Sequence, residues 1–201
     1  DVSVDFRRAI LESAEAVILT SATLSAGGRF DFLRNRLGIE RAREFQAASP
    51  FDYAEQAILY IPRHMPDPRD PAFLRLAAAE IRSLLEISAG RALVLFTSVD
   101  AMETTHRLLQ GSVSYPLMVQ GEAPRTQLLD RFRHEVASVL LATRSFWQGV
   151  DVVGEALSCL IIHKLPFGFP GDPVLEARLE YLAQQGGDPF WEYQIPSAII
   201  A

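Results

Sequence analysis

The run from Thr143 to Asp151 (Thr143, Arg144, Ser145, Phe146, Trp147, Gln148, Gly149, Val150, Asp151) is the stretch of this chain best equipped for chemistry. It follows an apolar run, residues 138–142, that reads as a buried strand, and another apolar run, residues 157–162, comes soon after. A loop at the carboxyl end of a parallel strand is where α/β proteins place ligand chemistry. Three other short runs share its character: residues 20–25 with Ser21, Ala22 and Thr23; Thr97 with Ser98; and Gln120 with Gly121. Hydroxyls, small residues and their backbone N–H groups suit phosphate oxygens. Each run also has a plainer reading. Ser98 suits a helix cap, Gln120–Gly121 a turn, Gly149 a left-handed position, Asp151 a turn cap, and Trp147 a half-buried packing position.

These runs need elements to hold them. Residues 16–19, 57–61, 92–96, 116–119, 139–142 and 157–162 read as short, continuously apolar strands. Between them, helical spacing predicts helices over residues 30–37, 72–87, 101–109, 124–132, 173–184 and 189–200. In the second of these, Leu74, Ala77, Ala78, Ile81, Leu84 and Leu85 share one side. Alternation of buried strands with helices implies a mostly parallel sheet covered on both faces, an α/β fold. The four polar runs would then gather along the carboxyl edge of that sheet.

Composition narrows the function. The net charge is −6, against a chain built to coat nucleic acid, although a local basic track is still allowed. Lys164 is the only lysine and does not sit in a G-x-x-x-x-G-K-[ST] context, so no standard phosphate-binding loop is present. Cys159 is the only cysteine, which rules out a disulfide within the chain or a multi-cysteine metal site and suits a reducing, cytoplasmic compartment. The four histidines (His64, His106, His134, His163) lack metal-ligand spacing and read as structural or solvated, and no G-x-S-x-G elbow occurs. No apolar stretch is long enough to cross a membrane. Residues 25–28 make a poor dinucleotide fingerprint, which argues against a Rossmann-like enzyme. Both ends read as cut from a longer chain.

Taken together, the runs resemble a known set of helicase motifs in order and spacing. Residues 20–25 look like the Ser-Ala-Thr motif III of superfamily 2, residues 93–98 resemble motif IV, residues 116–125 the strand and turn that follow it, and residues 139–151 motif V. Residues 49–51, 165–167 and 172–173 also fit. The whole is similar to the DinG-type branch of the XPD/Rad3-like helicases. Position 148 is Gln where that pattern often carries Glu.

That resemblance implies RecA-like architecture, with residues 1–50 the end of a first domain and residues 51–201 most of a second. It implies an ATP-dependent DNA helicase acting in repair or replication, with ATP and Mg2+ between two such domains and single-stranded or forked DNA across them. Ser21, Ala22 and Thr23 would couple nucleotide state to DNA grip. Thr97, Ser98, Gln120, Gly121, Thr143, Arg144, Ser145, Phe146 and Trp147 would face DNA, while Gly149 and Asp151 would face the nucleotide cleft. The P-loop, the DEAH-type acidic motif, the iron–sulfur cysteines and the arginine motif VI are not in the sequence, motif VI being expected just past residue 201. The chain alone is therefore expected to be inactive. A non-enzymatic RecA-like interaction module is the alternative.

Overall fold

The computed structural model describes residues 2–200; Asp1 and Ala201, the outer limits of the domain division expected above, lie outside the described residues. In chain order the helices and strands are α1 (Ser3–Phe6), α2 (Asp31–Leu37), α3 (Tyr53–Gln56), α4 (Phe73–Ser88), β1 (Ala92–Leu95), α5 (Val99–Leu109), β2 (Leu117–Val119), α6 (Arg125–His134), β3 (Val139–Ala142), β4 (Cys159–Ile162), α7 (Pro173–Gln184) and α8 (Ile195–Ile200). The chain divides into two compact units, one running from Tyr60 to Pro166 and the other made of residues 1–59 and 167–201.

The Tyr60–Pro166 unit is a parallel sheet in the order β2-β3-β1-β4, with Leu93 opposite Leu140 and Leu160, and Met118 opposite Leu140. Every residue of β1 and β3 is buried, because helices cover both faces. On one face Ile81 and Leu85 of α4 and Met102 and Leu109 of α5 pack on Val94, Phe96, Val139 and Leu141. On the other, Leu128, Leu129 and Phe132 of α6 pack on Leu93, Leu95, Met118 and Leu140. Alternate residues along each strand point to opposite faces, so a run of four apolar residues serves both layers.

Helix α4 ends in a left-handed turn at Ala89 (φ 53°) and Gly90 (φ 73°) that delivers the chain into β1. Gly90 is required there, since a Cβ would stand 2.9 Å from the Ala137 carbonyl oxygen. The expected helices over residues 72–87, 101–109 and 124–132 form within a residue or two of their predicted limits. Beta structure is also found at four of the six expected strands.

Two expected strands do not form. Residues 16–19 and 57–61 carry no regular secondary structure and have no strand pairing among the described residues. Ile18 is 88% exposed and Ile58 96%. A strand is a paired structure, and an apolar run with no neighbouring strand has nothing to complete its backbone hydrogen bonds.

In the other unit, α7 begins at a carboxylate cap supplied by Asp172, whose Oδ1 accepts from the Val174 and Leu175 amides at 2.9 and 3.1 Å. Tyr193 lies edge-on to Phe32 at 5.8 Å, with the Arg36 and Arg178 guanidinium groups 5.7 and 5.3 Å from its ring centre. The expected helix over residues 189–200 opens with a wider turn at Phe190–Gln194 before α8.

Candidate nucleic-acid and nucleotide-facing loops

Because β1, β2 and β3 are parallel, the segments that follow them emerge from one edge of the sheet. The first is Thr97–Ser98. Both residues are exposed, and the Ser98 hydroxyl accepts the Ala101 amide hydrogen at 3.3 Å, capping α5. The second is Gln120–Gly121, where Gly121 turns the chain with φ 104°. The third is the Thr143–Asp151 loop.

The second and third segments are tied together. The Gln120 side-chain oxygen accepts from the Thr143 amide at 2.7 Å and from the Thr143 hydroxyl at 3.0 Å. Thr143 is 9% exposed, so those donors have little access to water, and the bonds satisfy them. Gln120 thus faces Thr143 rather than being a bare turn residue.

Past Thr143 the chain makes one tight helical turn, Arg144–Phe146, with the Phe146 amide donating to the Thr143 carbonyl at 2.9 Å. Arg144 and Ser145 project into solvent. Phe146 does not: its ring is 2% exposed within the α6-side core. The expectation that this side chain faces DNA is corrected, because a buried ring has no free face to offer. Trp147 is half-buried against the same core, and its indole N–H donates to the Phe96 carbonyl at 3.3 Å.

Gly149 takes φ 66°, a conformation that favours glycine. The Asp151 side chain is exposed, while its backbone carbonyl accepts from the Arg133 Nε and Nη2 at 3.1 and 2.9 Å. Arg125 Nη2 donates to the carbonyls of Gln148 and Gly149 at 2.9 and 2.8 Å. Sequence reasoning gave Arg125 and Arg133 no role. A guanidinium bonded to main-chain carbonyls leaves no signature in residue type, and only their spacing of eight along one helix hinted at a shared side.

Ser21, Ala22 and Thr23 lie in the other compact unit as an exposed turn, in which the Ser21 hydroxyl accepts the Thr23 amide hydrogen at 3.2 Å. His163, following β4, is packed between the rings of Phe73 (5.1 Å) and Phe96 (5.0 Å). Neither of its ring nitrogens has a hydrogen-bond partner among the described residues. Burial first, then the neighbouring Lys164 charge, pushes its pKa down to about 4. Of the two readings left open by the sequence, structural or solvated, the packing favours the structural one: the residue is half-buried, with both ring nitrogens out of reach of solvent.

The sequence pattern of the helicase C-terminal domain matches residues 81–201, which contain β1 to β4 and the three segments above. The chain belongs to the helicase C-terminal domain family. It is 41% identical over 199 residues to the ATP-dependent DNA helicase YoaA of Escherichia coli (strain K12), a match covering 99% of this chain and 31% of that protein. With YoaA of Haemophilus influenzae it shares 44% over 191 residues, covering 94% of this chain and 30% of the relative. The ATP-dependent helicase DinG of Mycobacterium tuberculosis (strain H37Rv) is 37% identical over 177 residues, 86% of this chain and 27% of the relative. The motif-based resemblance to the DinG-type branch is thereby borne out. The chain spans less than a third of the length of these relatives. Among the described residues no helix is long and apolar enough to cross a membrane.

Proposed function

We propose that this chain is part of a cytoplasmic, ATP-dependent DNA helicase of the DinG/XPD-like family, coupling ATP hydrolysis to movement along single-stranded DNA in repair or replication. In this reading residues 1–50 end a first RecA-like domain and residues 51–201 make up most of the second. The observation that carries it is the set of three polar segments emerging from one edge of a parallel sheet, two of them joined by Gln120 and Thr143. The names of the relatives support the same activity.

The DNA-facing groups are then the exposed ones: Thr97, Ser98, Gly121, Arg144, Ser145 and the open part of Trp147. Gln120 and Thr143 shape that surface through their mutual bonds. Hydroxyls and backbone amides position a phosphate backbone without reading sequence, which suits a translocating protein. Gly149 and Asp151 form one wall of the nucleotide cleft, and Ser21 to Thr23 couple the two sites.

The loop suits one wall of a Mg2+–ATP site but not a complete one. Lys164, the only lysine, is engaged elsewhere, donating to the Pro68 carbonyl at 3.2 Å and lying over the Phe73 ring. Arg125 and Arg133 donate to backbone carbonyls. No step of phosphoryl transfer is therefore assigned to residues of this chain, and a first RecA-like domain is required as its partner.

Binding of a labelled oligothymidine to the chain tests this reading. Weak binding that falls with added salt and weakens further in Arg144→Ala is expected. Binding unaffected by Arg144→Ala, or insensitive to salt, would contradict the assigned DNA face.

A further inference from the structure

We infer that helix α6 is a brace that sets the position of the 148–151 loop, with Arg125 and Arg133 as its positioning residues. This rests on the reading that the loop borders the nucleotide cleft. One guanidinium grips each end of the loop. Arg125 reaches the carbonyls of Gln148 and Gly149 at 2.9 and 2.8 Å, and its guanidinium lies 5.3 Å over the buried Phe146 ring. Arg133 directs two N–H groups at the Asp151 carbonyl, at 3.1 and 2.9 Å, and is itself held by the Asp130 carboxylate at 2.9 Å. Eight residues separate the two arginines, a little over two helical turns, so both leave the same side of α6 roughly 12 Å apart.

Hydrogen bonds from a charged donor are stronger than neutral ones. These end on main-chain oxygens, so they fix the path of the loop and leave the Asp151 side chain exposed. Gly149 suits the path between the two grips through its φ of 66°, which side-chain-bearing residues rarely adopt.

The brace also extends to the proposed DNA face. The segment leading into α6 contains Gln120, whose side chain holds Thr143 at the start of the same loop. The β2–α6 segment therefore grips the 143–151 loop at Thr143, at Gln148–Gly149 and at Asp151. A shift of Gln120 and Gly121 against a DNA backbone would carry the cleft-side residues with it.

Four variants test this: Arg125→Met, Arg133→Met, Arg133→Lys and Asp151→Asn. In this chain, NMR order parameters of the 148–151 amides should fall from about 0.85 to below about 0.6 in both Met variants, with β1 and β3 unchanged. In the whole helicase, kcat for DNA-stimulated ATP hydrolysis should fall at least tenfold while KM for ATP stays within about twofold, the mark of a misplaced group rather than a lost contact. Arg133→Lys keeps the charge but not the two-pronged grip, so it should not rescue kcat. Unchanged order parameters, or a loss of order across the whole sheet, would overturn the brace. So would a full rescue by Arg133→Lys. If Asp151→Asn lowers turnover while the arginine variants do not, the brace alone fails. If Asp151→Asn leaves turnover intact, the reading of the cleft fails first and the brace with it.

Discussion

Acidification should unfold this chain partly through one imidazole. His163 lies between Phe73 and Phe96 with both nitrogens lacking partners, and its pKa is lowered from 6.5 to about 4, chiefly by burial. In the unfolded chain it titrates near its ordinary value. Between those two pH values the unfolded chain holds a proton that the folded chain rejects, so stability rises with pH across the window. The contribution is complete above about pH 6.5, declines as the pH falls, and is gone below about pH 4. At roughly 1 kcal/mol or somewhat more per pH unit, lowering the pH from about 7.5 to about 4.5 removes roughly 2–3 kcal/mol. Carboxylates protonate over part of the same range, so the comparison is with His163→Phe, which fills the aromatic slot without a titrating group. Urea unfolding of both proteins at the two pH values gives the difference directly. The natural chain should lose roughly 2–3 kcal/mol more than the variant. At neutral pH the variant should be at least as stable, because it removes two buried polar atoms without partners. Equal losses in the two proteins would refute the argument.

Three further outcomes follow from the packing. Gly90→Ala should lower stability by about 2 kcal/mol or more, since it places a Cβ against the Ala137 carbonyl at φ 73°; thermal unfolding measures this, and a change below about 0.5 kcal/mol would contradict it. Gln120→Leu should cost about 1–3 kcal/mol by stranding the Thr143 amide and hydroxyl, whereas Gln120→Glu, which keeps an acceptor, should cost less; urea titrations of the pair decide it. Trp147→Phe should cost about 0.5–1.5 kcal/mol for the lost indole bond to the Phe96 carbonyl, and an unchanged urea midpoint would show that bond to be worthless.

The central elements were readable because each satisfies two demands at once. Val139, Leu140, Leu141 and Ala142 form a continuous apolar run, and only a strand covered on both faces buries every member. The α4 stripe was equally plain, with Ala77, Ala78, Ile81 and Leu85 all buried. Residues 16–19 and 57–61 show the same composition but misled, because composition reports what a strand would bury and not whether another strand lies beside it. At the candidate site, the hydroxyls and glycines marked loops that follow the parallel strands β1, β2 and β3, and the capping role of Ser98 followed from its neighbours. The burial of Phe146 did not, since one turn of helix after β3 decides whether residue 146 or residue 145 points inward. Nor did the roles of Arg125 and Arg133, whose partners are backbone carbonyls.

The proposed helicase role is tested by ATP hydrolysis with and without single-stranded DNA, for the chain alone and for the whole protein carrying Asp151→Ala. The chain alone should show no turnover, and the whole protein bearing the substitution should lose DNA-stimulated turnover. Turnover by the isolated chain that Asp151→Ala abolishes would contradict that role, and so would full DNA-stimulated turnover in the substituted whole protein.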